Sequence, residues 1–117
     1  MNTVDISVFS IVGSPICVDA EDGERVYELI HKTLKSNSKA NISFLNVDML
    51  TSAFLNTAIG KLYNDFSEDE IKKMVSITNI SDVDKSLLKR VVKNAKLYYK
   101  DPTWMEKTLS EITGENP

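Results

Sequence analysis

This sequence predicts a single α/β domain: a small mixed β-sheet of about four strands, helices packed against it, and a short C-terminal helix. Three observations carry that prediction. Short runs rich in β-branched and apolar residues alternate with longer runs whose apolar positions recur every three or four residues. No internal repeat, low-complexity stretch or linker interrupts the alternation. A chain of 117 residues supports one hydrophobic core and leaves little material for a second.

Residues 4–12 alternate imperfectly and are rich in β-branched types, which predicts the first strand. Gly13-Ser14-Pro15 ends it as a turn, and Ile16, Cys17 and Val18 form a short extended piece expected to return as a hairpin. Glu21, Asp22 and Glu24 place negative charge where a helix N-terminus favours it. Val26, Tyr27, Leu29, Ile30 and Leu34 then mark the apolar stripe of a first long helix, which ends near Ser36-Asn37-Ser38. The apolar run from Asn41 to Val47 suits a strand in the middle of the sheet, buried on both faces.

Met49 to Ser52 bridges into a second helix, where Phe54, Leu55, Ala58, Ile59, Leu62, Tyr63 and Phe66 form a wide stripe. Ser67-Glu68-Asp69-Glu70 has the spacing of a capping box, and Val75 to Ile80 reads as the last strand. Ser81 is placed to cap a third helix with Leu87, Leu88, Val91, Val92 and Ala95 as its core positions, Tyr98 and Tyr99 continuing the stripe. Asp101-Pro102 restarts the chain as N-cap and first helical residue, and Trp104, Met105, Leu109 and Ile112 give the C-terminal helix its apolar face.

Composition narrows the function. With 42% hydrophobic and 26% charged residues, the chain needs no metal or disulfide to hold a core, and no cofactor is expected. The lone Cys17 has no intramolecular partner, which fits a reducing compartment. No run reaches the roughly 18 apolar residues of a membrane span, and the start lacks the basic segment of a secretory signal; a cytoplasmic location is expected. Charge is uneven: residues 1–84 carry 7 basic and 13 acidic side chains, whereas 85–107 carry 7 basic and 2 acidic. An acidic body with one basic helix argues against a general nucleic-acid binder.

Sites of chemistry are sparse. His31 is the only histidine and has no neighbouring nucleophile or ligand set in the sequence, so it reads as a surface or boundary residue. Cys17 reads as a small core side chain, and Glu68, Asp69 and Glu70 as acids stabilising a helix start. Gly60 stands alone within a helix and suits close packing rather than phosphate binding. Thr51 and Ser52 form a hydroxyl pair at a helix start, where capping accounts for them; phosphorylation there is the sharper reading.

From Ile42 to Tyr63 the chain resembles the STAS-like domains: a strand, then Thr51-Ser52, then the Ala53-Phe54-Leu55-Asn56 helix closing in Ile59-Gly60-Lys61-Leu62. The likeness continues through Val75–Ile80 and Leu87–Val91, and spans residues 1–100, with 101–117 as a helical extension and frayed tail. It implies a STAS-like fold and kinship with anti-sigma factor antagonists. In those, a strand-to-helix loop carries a phosphorylatable serine in an Asp-Ser-Ser-Gly-like motif, acted on by a histidine-kinase-like ATPase. Here Leu50 and Ala53 replace the aspartate and glycine, Thr51 replaces the first serine, and the two hydroxyls remain.

The resemblance therefore implies a non-enzymatic regulatory module that binds a protein, with such an ATPase as the partner class. Its contact surface would centre on Asp48, Thr51, Ser52, Ala53 and Asn56, with Trp104 as a further candidate. Two rivals are a transcriptional regulator that meets nucleic acid through the basic third helix, and a structural homo-oligomer. The expected state is monomer or homodimer, with no membrane contact.

Overall fold

A computed structural model describes residues 1–100. The expected C-terminal helix and Trp104 lie outside the described residues. Among the described residues, five strands form two all-parallel sheets, one of three strands and one of two. This replaces the expected mixed sheet of about four strands.

Strand β1 is Thr3–Ser7, and the strand expected over 4–12 divides there. Ser7 Oγ accepts a hydrogen bond from the Ser10 N–H at 3.1 Å and starts the short helix α1, Val8–Val12. Gly13 closes it at φ 77°, its N–H donating to Phe9 O at 2.8 Å. A cap at each end outweighs the β-propensity of Val8, Ile11 and Val12. Because α1 carries the chain off the sheet, β2, Ile16–Cys17, does not return on β1 as a hairpin. It pairs in parallel with β4, Met49–Leu50, in the register Ile16↔Met49 and Cys17↔Leu50.

Helix α2, Ala20–Lys35, buries Val26, Ile30 and Leu34 along one stripe, while Leu29 is exposed and Tyr27 half-buried. Gly23 lies on the same face where α2 meets the following helix: a Cβ there would stand 2.6 Å from Phe54 O. The helix ends at Ser36, with Asn37 at φ 60°.

Strand β3, Lys39–Ser43, is central in the order β1-β3-β5, and β5 is Val75–Thr78. Ala40 and Ile42 are buried beside Ile6, but the opposite face is polar, so the expectation of burial on both faces fails. There Asp5, Asn41 and Ser76 are cross-strand partners. Asn41 Nδ2 donates to Asp5 Oδ1, and Ser76 Oγ donates to Asn41 Oδ1, both at 3.1 Å. Parallel pairing places these residues in one row because side chains alternate with a period of two.

The second helical run is continuous but changes geometry. It comprises α3, Ser52–Leu55, a π-helical turn at Asn56–Gly60, and α4, Leu62–Asp65. Phe54, Leu55, Ala58, Ile59 and Leu62 are buried as the stripe predicts, and Tyr63 and Phe66 flank it half-buried. Helix α5, Glu68–Met74, opens on the expected capping box, with Ser67 Oγ and Glu70 bonding each other's backbone N–H groups at 3.1 Å. Helix α6, Asp82–Lys100, is capped by Ser81 Oγ, which accepts from the Asp84 N–H at 3.2 Å. Leu88, Val91 and Ala95 are its buried positions, with Leu87, Val92 and Tyr99 half-buried; Tyr98 faces solvent, contrary to expectation.

Candidate functional site

The corner where β4 enters α3 brings most of the sequence-derived candidates together. The loop before it is held by Pro15, whose carbonyl accepts from the N–H groups of Asp48 at 2.8 Å and Met49 at 3.2 Å. Asp48 itself is exposed. Thr51 is the N-cap of α3 in extended backbone, φ −123° and ψ 160°.

Its hydroxyl is committed twice. Thr51 Oγ1 accepts from the Phe54 N–H at 3.2 Å and donates to Val18 O at 2.7 Å. The first bond starts the helix; the second ties that start to the segment after β2. Ser52, one residue on, is exposed, as are Ala53 and Asn56. Asn56 N–H donates to Ser52 O, which stacks these two residues one turn apart on the outer face.

Two residues absent from the sequence-based list complete the surface. Ile16 is 42% exposed and Met49 52% exposed, and they are register partners across β2 and β4. Partners in register point to the same side, so two large apolar side chains lie next to each other at the entrance to α3. A two-residue parallel pairing between residues 33 positions apart has no local signature in the sequence. The only hint was the apolar run on each side of Pro15 and Asp48.

The far end of the same helical run carries a different cluster. Lys61 N–H donates to Asn56 O at 3.1 Å, an i→i+5 bond that makes the π-turn. The Lys61 ammonium binds both Glu24 carboxylate oxygens, at 2.7 and 3.0 Å, and sits 4.4 Å from the Tyr27 ring centroid. Tyr27 OH donates to Asp65, and His31 Nε2 lies 3.8 Å from the same carboxylate. Burial, then the bond to Asp65, pushes the Tyr27 phenol well above its usual range. These groups join α2 to α4, and His31, between Tyr27 and Phe66, is the boundary residue expected.

Cys17 is fully buried and free, and burial with the nearby Asp22 charge pushes its thiol up to about 11. Among the described residues, no group of three or more His, Cys, Asp or Glu side chains is placed to hold a metal ion. No helix among them is long and apolar enough to cross a membrane.

The fold and the corner define a small α/β domain with a strand-to-helix turn at which the Ser52 hydroxyl and the apolar side chains of Ile16 and Met49 are exposed. The chain belongs to the family described as the STAS-like domain of unknown function (DUF4325), whose model matches residues 22–85. The matched segment holds α2 from Asp22 onward, β3, β4, the α3–α4 run, α5, β5 and the start of α6; β2 with Ile16 lies before it. Neither the curated proteins nor the solved structures searched contain a match.

Proposed function

We propose that this chain is a non-enzymatic regulatory module that binds a protein partner through the β4–α3 corner, in a reducing cytoplasmic setting. The observation that carries the reading is the exposed apolar register pair Ile16 and Met49 at the entrance to α3, with Asp48, Ser52, Ala53 and Asn56 exposed on the segment that follows β3. A partner gains from covering such a pair, since apolar surface removed from water contributes about 25 cal/mol per Å². Polar rims around an apolar centre are the usual arrangement at interfaces.

Within this reading the two hydroxyls have separate jobs. Thr51 serves the fold, because its oxygen already caps α3 and bonds Val18 O. Ser52 is the hydroxyl open to modification. A phosphate on Ser52 would place nearly two negative charges against the apolar pair and beside Asp48, and so would disfavour a partner seated there. The resemblance to anti-sigma factor antagonists supports a histidine-kinase-like ATPase as the partner class.

Affinity capture of the chain from its native cells tests this, run with the wild type, Met49→Asp and Ser52→Glu. An ATPase recovered with the wild type and depleted about tenfold with both variants is the expected result. Equal recovery with all three would remove the corner from the interface.

A further inference from the structure

Away from the corner, a groove of about 620 Å³ runs between β5 and α6 and shares no residue with it. Ile77, Ile80, Leu88 and Val92 form its apolar floor. Lys85, Lys89 and Lys93 stand along it at i, i+4 spacing, and Lys96 follows one turn on. Successive side chains in such a row lie about 6 Å apart, so the wall is a continuous cationic stripe. Among the described residues only Lys96 of these four is ion-paired, with Glu68 at 2.8 Å. On the sheet side, among the described residues, β5 is the edge of the three-stranded sheet and hydrogen-bonds only β3.

We propose that this groove docks an acidic amphipathic helix from a partner protein, and is a second interaction surface independent of the corner. An apolar stripe at i, i+3, i+4 and i+7 fits a trough floored by Ile77, Leu88 and Val92, and glutamates on one flank of the incoming helix meet the lysine stripe. Such a helix also covers the open edge of β5, a feature that proteins otherwise blunt with charge or a covering element. Charge chooses among occupants. A second copy would bring its own lysine stripe against this one, and like charges opposed across an interface cost affinity. A nucleic acid would satisfy the lysines but leave the apolar floor unused, on a chain of net charge −3.

The test uses the full chain and a fluorescein-labelled peptide of about fourteen residues, long enough for about 20 Å of helix. It carries leucines at i, i+3, i+4 and i+7 and glutamates on one flank; controls replace the glutamates with lysines, or use a duplex DNA. Fluorescence anisotropy at low salt is expected to show the acidic peptide binding at least about tenfold more tightly than the lysine version. The charge reversal Lys89→Glu/Lys93→Glu should weaken it about tenfold, as should Leu97→Asp at an exposed position lining the groove. Circular dichroism checks that each variant is folded. Met49→Asp and Ser52→Glu should leave this binding unchanged, which separates it from the corner. Equal affinity for the two peptides, or no effect of charge reversal, overturns the proposal. DNA binding tighter than the acidic peptide makes α6 a nucleic-acid surface instead. A photo-cross-linker at Lys93 that captures this chain's own residues 101–117 in place of the peptide makes the occupant intramolecular and overturns the partner assignment.

Discussion

Thr51 and Ser52 are adjacent hydroxyls with opposite fates, and substitution separates them. Thr51→Ala removes the α3 cap and the bond to Val18 O together, and should cost about 1–2 kcal/mol. Thr51→Ser keeps both bonds and should recover most of that loss. Ser52→Ala, at an exposed position, should stay within about 0.5 kcal/mol. Urea unfolding of the three variants checks the order, and a larger loss at Ser52 than at Thr51 would reverse the assignment of roles. Cys17 gives a second test at this scale. With its thiol pushed up to about 11 and fully buried, it should scarcely react with a disulfide reagent at pH 8 in the native state. Reaction at the rate of an unfolded thiol should appear only in denaturant.

The helices of this domain are held by specific contacts at their ends and crossings more than by propensity. Gly23 and Gly60 look alike in the sequence but differ in structure. A Cβ on Gly23 would press to 2.6 Å from Phe54 O and 3.1 Å from Thr57 Cβ, where α2 crosses α3 and the π-turn. Gly23→Ala should therefore cost about 1–3 kcal/mol by forcing that crossing apart. At Gly60 the nearest atom would be Ala95 Cβ at 3.6 Å, an ordinary contact with α6. Gly60→Ala should be neutral or stabilising by up to about 1 kcal/mol, since alanine is the better helix former. Thermal unfolding of both checks the contrast, and equal losses would mean that the crossing adapts. At the α5 start, Ser67→Ala dissolves the capping box and should cost about 1 kcal/mol.

For the molecule as a whole, the interior is the apolar side of the three-stranded sheet together with α2, the α3–α4 run and α6. Leu88 is 8% exposed, so Leu88→Ala should cost about 2–5 kcal/mol by denaturant titration. A much smaller loss would mean that α6 packs more loosely than its burial indicates. The Glu68–Lys96 pair links α5 to α6 on the surface and sets a pH dependence. The hydrogen bond and charge of Lys96 hold the Glu68 carboxyl below its usual range, and the bond to Glu68 raises the Lys96 ammonium. A depressed carboxylate contributes stability above its unfolded value, about 4.3, and loses it as pH falls through the lower folded value. A raised ammonium contributes below its unfolded value, about 10.4, and loses it as pH rises through the higher folded value. The stability difference between wild type and Glu68→Gln should therefore be flat across neutral pH and shrink at both extremes. A difference that grew in acid would contradict the pairing.

What the sequence determined by itself was local: the stripe of α2, the buried face of the α3–α4 run, the Ser67 capping box, the Ser81 cap and the phase of α6 about Leu88. Each of these depends on residues three or four apart, or on a cap beside its helix, so the physics is contained in a short window. The STAS-like class was legible differently, through the resemblance carried by the run from Ile42 to Tyr63. Only the tertiary structure decided the pairings. It divided 4–12 into β1 and α1, sent β2 to β4, made every strand pair parallel, and left the Asp5–Asn41–Ser76 face polar. It likewise placed Ile16 beside Met49 and aligned the lysine stripe with Ile77. Parallel pairing joins segments far apart in the chain, and which segments meet is settled by how the helices between them pack against the sheet.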